Sequence, residues 1–154
     1  MPVQDIAPPV VQLGSEGETV EFGGSRMLFK SPAAGAPDAW TVVDYVMAPS
    51  RPGPPPHYHK EATETFYVIE GELWMRVWDR EFTAGAGSFV FVPAGTPHAF
   101  ANRSGKPVRF LGHASTPAIK NLILDAVEMM RAGAWPPDRQ TLDDLGRRHD
   151  THYL

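Results

Sequence analysis

Apolar residues in this chain come in short bursts, each closed by glycine, proline or a small polar cluster. Such runs predict β-strands over 10–13, 19–22, 26–30, 40–48, 64–69, 72–78, 88–92, 96–101 and 108–113. The run WTVVDYVMA, 40–48, is rich in β-branched and aromatic residues and stops at Pro49. Within 88–92, Phe89 and Phe91 alternate with Val90 and Val92. Glu70-Gly71 between two strand runs predicts a hairpin, and 79–81 predicts a turn. The loop PSRPGPPP has too many prolines for a central strand.

The period changes after Pro117. Ile119, Leu122, Ile123, Ala126, Val127 and Met130 follow the i, i+3, i+4, i+7 spacing of an amphipathic helix over 117–132. Thr116 suits its N-cap, Pro117 its first position and Gly133 its stop. A shorter helix is expected after Pro137, capped by Asp138, with Leu142 and Leu145 inward. Residues 1–9 read as a loose proline-rich arm. Many short strands followed by helices predict an all-β barrel or sandwich with a C-terminal helical appendage. The expected organisation is one domain over 1–154, with a barrel at about 10–115 and the appendage at about 116–154. The C-terminal helix is expected on the outside of the barrel, with a lid over its mouth or a dimer contact as sharper alternatives.

Composition narrows the chemistry. The 154 residues hold no cysteine, which excludes disulfides, thiolate metal sites and a cysteine nucleophile. Lack of cysteine fits the cytoplasm. A net charge of −4 gives no reason to expect nucleic acid or an anionic membrane as partner. No apolar stretch reaches the length of a transmembrane helix, and MPVQDIAPPVV is not expected to be a secretory signal.

The stretch GPPPHYHKEATETFYVIEG, 53–71, holds the candidate chemistry. His57 and His59 are two apart, so in an extended segment both imidazoles face one way and Tyr58 the other, in a structural role. Glu64 shares its strand face with Phe66 and Val68. His98 lies on a later strand, on one face with Phe100 and Asn102. In a small closed barrel the inward faces converge. Three neutral imidazoles and a carboxylate suit one divalent first-row transition ion, Fe, Ni, Mn, Co, Cu or Zn, rather than calcium. Glu64, beside a metal and apolar walls, is also a candidate general base. Phe66, Trp74, Met75, Phe89, Phe91, Phe100 and His113 are near enough in sequence to line a substrate pocket. His149 and His152 are expected to face solvent.

These residues resemble the cupins. The first cupin motif, G-x5-H-x-H-x3,4-E-x6-G, is met by His57, His59, Glu64 and Gly71; its leading glycine falls at Arg51, and Gly53 is the nearest glycine. The second, G-x5-P-x-G-x2-H-x3-N, is met throughout by Gly87, Pro93, Gly95, His98 and Asn102. The resemblance implies a double-stranded β-helix, or jelly roll, metal bound by His57, His59, Glu64 and His98 with no other cofactor, and a homodimer. HYHKEATETFYVIEGE and, loosely, the C-terminal tail are similar to single-domain bacterial cupins of quercetin dioxygenase type. The expected activity is a metal-dependent dioxygenase acting on a small, largely apolar or aromatic molecule. The alternatives are a non-redox isomerase, cyclase or decarboxylase resembling the polyketide cyclases, and a non-catalytic binding module. No DNA-binding helix pair accompanies the barrel, which argues against a transcriptional regulator.

Overall fold

The structure is a computed structural model that describes residues 9–30 and 40–154. Two antiparallel sheets face each other. The larger is built from β1 (Glu18–Phe22), β2 (Ser25–Phe29), β3 (Thr41–Met47), β10 (Val108–Ala114), β5 (Glu64–Glu70) and β8 (Phe89–Val92), in that spatial order. The smaller runs β11 (Thr151–Tyr153), β4 (His57–His59), β9 (His98–Ala101), β6 (Glu72–Val77) and β7 (Arg80–Gly85). Two helices, α1 (Ala118–Arg131) and α2 (Arg139–Arg148), lie between β10 and β11 in the chain. The fold is thus the expected all-β jelly roll with C-terminal helices. Among the described residues no helix is long and apolar enough to cross a membrane.

Period-2 patterning places the core. On β3, Thr41, Val43, Tyr45 and Met47 are buried while the residues between them are only partly so. Val43, Tyr45 and Met47 meet Phe66 and Val68 of β5, Leu73 and Met75 of β6, and Val108 and Phe110 of β10 in one apolar cluster.

Several expectations fail for local reasons. Residues 10–13 form no strand: Val10, Val11 and Leu13 are exposed. Lys30 Nζ instead ties down this segment by donating to the carbonyls of Gly14 (2.6 Å) and Glu16 (2.7 Å). Glu70-Gly71 is not a hairpin, because β5 and β6 belong to different sheets. Gly71, at φ 82°, turns a corner against the Pro107 carbonyl, 2.7 Å from where a Cβ would sit. The expected turn at 79–81 falls earlier, so that Arg80 and Glu81 open β7. That strand was hidden because its sequence, REFTAG, buries only Ala84. The tail does not stay helical, since β11 returns to the smaller sheet beside β4. The arm expected over 1–9 lies, apart from Pro9, outside the described residues.

The helices follow their stripes. Asp138 caps α2 by accepting from the Thr141 N–H (2.8 Å), and Leu145 is buried beneath it, with Leu142 partly so. α1 starts one residue later than expected, with Pro117 at the N-cap and Thr116 Oγ1 accepting from the Ala118 N–H (3.2 Å). Gly133, at φ 71°, closes it.

Candidate metal centre and its cavity

His57 and His59 sit on either side of Tyr58 in the three-residue strand β4, and both are buried while Tyr58 is not. β4 lies between β9 and β11, with His57 directly opposite His98. Glu64 opens β5 in the facing sheet and reaches across. Its Oε2 lies 2.8 Å from His98 Nε2 and 3.1 Å from His59 Nε2. One ligand atom from each of His57, His59, Glu64 and His98 lies within 4.8 Å of the others, so the group could hold a metal ion.

The opposite ring nitrogens show what the centre requires. His57 Nδ1 donates to the Pro55 carbonyl (2.8 Å), His98 Nδ1 to Thr96 (2.9 Å) and His59 Nδ1 to Asp150 (3.0 Å). A carbonyl only accepts, so each Nδ1 carries the hydrogen, and a ring in its neutral form then aims an Nε2 lone pair inward. Lone pairs facing a carboxylate repel unless a proton or a cation lies between them. The donor set therefore fits a divalent transition ion with nitrogen and oxygen ligands, in the tautomers that ligation needs.

The electrostatics differ from ring to ring. Burial is the largest influence on His57 and takes its pKa down to about 3, so this ring is neutral. Burial also opposes charge on His59, but the hydrogen bond and charge of Glu64 outweigh it and raise its pKa. Burial alone would favour the neutral acid at Glu64; hydrogen bonds from His59 and His98 instead hold its carboxyl well below the usual carboxylate range.

The C-terminal segment supports this centre. Asp150 carboxylate oxygens accept from the N–H groups of Lys60 (2.9 Å), Glu61 (3.0 Å) and Ala62 (2.9 Å), which fixes the loop between His59 and Glu64. Thr151 Oγ1 donates to the His149 carbonyl and accepts from His59 Nδ1, each at 3.2 Å. His149 does not simply face solvent, because its Nε2 lies 2.8 Å from Asp125 on α1. His152 stacks on Tyr58 at 5.0 Å. Without a partner strand to pair with, THY in a polar tail gives no sequence signal for these roles.

A cavity of about 200 Å³ opens onto the cluster. Phe66, Phe100 and His113, three of the residues read as pocket candidates, line it. Four others do not. Met75 is fully buried in the core, Trp74 carries the Arg103 guanidinium 3.4 Å from its ring centre, and Phe89 and Phe91 are 63% and 53% exposed. On β8 the apolar alternation runs in the other phase, with Val92 buried opposite Glu64. The six apolar positions of α1 form one whole wall of the cavity. Tyr153, missed in the sequence, lines it with its ring 5.9 Å from that of His57.

The sequence profile of the cupin domain matches residues 43–113. The chain carries a cupin domain. The chain is 43% identical over 44 residues to a quercetin 2,3-dioxygenase of Bacillus subtilis, a match covering 29% of the chain and 13% of that protein. A crystal structure described as a sugar phosphate isomerase of the cupin superfamily from Silicibacter pomeroyi is 28% identical with a TM-score of 0.54, covering 60% of each chain. The polyketide cyclase RemF of Streptomyces resistomycificus shares the fold at 24% identity and a TM-score of 0.52, over 71% of this chain and 79% of that one. The cupin matched here thus spans less than two thirds of the dioxygenase and of the isomerase.

Proposed function

We propose that this cupin is a metal-dependent dioxygenase of a small, flat, largely apolar enol or phenol. The carrying observation is that His57, His59 and Glu64 of the four-donor cluster line a cavity walled by Phe66, Phe100, Phe110 and the apolar face of α1. Such walls suit an aromatic ring. The local identity with a quercetin dioxygenase supports the same reading.

His57, His59, Glu64 and His98 would hold the ion, which supplies Lewis acidity toward a substrate oxygen and, when redox-active, an electron path to dioxygen. The chain does the rest. Carbonyls of Pro55, Thr96 and Asp150 keep the imidazoles aimed. The cavity walls exclude water from the reacting face. Glu64 takes the proton of the substrate hydroxyl at a carboxylate oxygen. Burial, which favours the protonated form of Glu64, works towards that transfer. Both atoms of dioxygen enter the organic product and the substrate supplies the electrons, so no external reductant is needed.

The test is oxygen uptake by metal-free protein reconstituted in turn with Mn, Fe, Co, Ni, Cu and Zn, using flavonols and simpler enols. Uptake matching substrate loss, abolished by Glu64→Gln, is expected with at least one redox-active ion. Conversion that continues without oxygen would replace this reading with an isomerase, cyclase or decarboxylase. Tight binding without conversion would make the protein a small-molecule-binding cupin.

A further inference from the structure

The position where the first cupin motif has its leading glycine is Arg51, and its side chain enters the same cavity. The guanidinium carbon lies 5.7 Å from the centre of the Phe22 ring, itself a cavity wall. The guanidinium rests against Gly23, where a Cβ would come within 2.6 Å of both terminal nitrogens. It makes no hydrogen bond or ion pair among the described residues, its one aromatic contact being Phe22. A partly buried cation on an apolar wall, with no acceptor, is a costly arrangement that an anionic ligand would relieve.

Its place in the barrel sets the geometry of that ligand. Arg51 pairs through its backbone with Asn102, four residues beyond His98 on the same extended segment. At about 3.3 Å per residue the two ends of this path are roughly 13 Å apart. Gly53 lets the loop lie on that segment, since a Cβ there would collide with the Phe100 carbonyl oxygen. The lining thus combines part of the ligand cluster, several aromatic rings and a single guanidinium.

We infer that Arg51 is a specificity-determining residue that binds the carboxylate of an elongated apolar substrate whose enol or phenol oxygen faces His57, His59, Glu64 and His98. One planar fork and one positive charge match a carboxylate, whereas a phosphate dianion would leave a negative charge uncompensated among apolar walls. The inference rests on the cavity being the substrate site.

The test compares 6-hydroxy-2-naphthoate with the neutral 6-hydroxy-2-naphthamide by calorimetry, on metal-free protein and on protein loaded with redox-inert zinc. Wild type is expected to bind the carboxylate on the order of 10-fold or more tightly than the amide. Arg51→Met should bring this ratio close to one without changing zinc stoichiometry, and Arg51→Lys should leave an intermediate ratio. Equal binding of the two probes by wild type, binding of neither, or a ratio that survives Arg51→Met would overturn the assignment. An Arg51-dependent preference in protein that takes up no metal would uphold the carboxylate site while removing the metal-enzyme reading. Stoichiometric zinc without the preference would do the reverse.

Discussion

The histidines of this centre are secured in two different ways. His57 and His98 are each held by a carbonyl two residues before them, Pro55 and Thr96, in their own stretch of chain. His59 is held by Asp150, ninety-one positions away, and by Thr151 next to it. Local anchoring needs only a short extended segment ending a proline-containing turn. Remote anchoring needs α2 to be capped and packed and β11 to pair with β4 before the ring is fixed. The contrast teaches that a compact motif can depend on a distant, unremarked tail for one of its donors.

The largest effect that would break the contrast is loss of a ligand itself. His98→Ala and His57→Ala should each reduce metal affinity more than roughly 100-fold, beyond what loss of an orienting partner brings, as read by elemental analysis after dialysis against a competing chelator. Retention of a full equivalent in both would show that the ion binds elsewhere. Next is Asp150→Ala, which removes three loop hydrogen bonds and places alanine at a left-handed φ of 55°. It should destabilise the fold by about 2 kcal/mol in urea titrations and weaken metal binding roughly 10-fold or more. An unchanged midpoint and affinity would mean that local contacts suffice for all three rings.

The metal-free protein sharpens the same comparison through pH. His59 should titrate above 6.5, because Glu64 overcomes the burial that would lower it, whereas burial keeps His57 unprotonated until about 3. Imidazole NMR signals followed from pH 8 to 4 would show one early and one silent ring; simultaneous titration would contradict this. Since the folded value of His59 is raised, its contribution to stability is complete below 6.5 and is lost as pH climbs through that higher value. The smallest effect belongs to Thr151→Val, which keeps the Asp150 carbonyl on His59 and loses the two 3.2 Å contacts of Oγ1, to His59 and to the His149 carbonyl. It should weaken metal binding less than 10-fold and cost about 1 kcal/mol of stability.

What could be read in the sequence follows from how far each signal reaches. The i, i+2 spacing of His57 and His59, the face shared by Glu64 and Phe66, and the stripe of α1 are local periodicities, and all stand in the structure. Phe89 and Phe91 alternate with valines that are themselves apolar, so periodicity cannot choose the inward face there. Gly71 permits either a hairpin or a corner, and the choice depends on Pro107 and Val108 of a distant segment. β11 has three residues and buries only Thr151 fully, too little for a hydrophobic pattern, because its partner β4 supplies its reason to exist.

The separation of His59 from Asp150 also has a consequence in time. At about 5–20 residues per second, a translating ribosome needs several seconds or more to add the residues between them. During that interval the nascent chain already exposes the imidazole of His59 without the carbonyl that orients it. An ion held by this group would therefore find His59 oriented only once Asp150 has joined the chain, and the choice among competing ions would fall to the folded barrel rather than to the motif as it emerges.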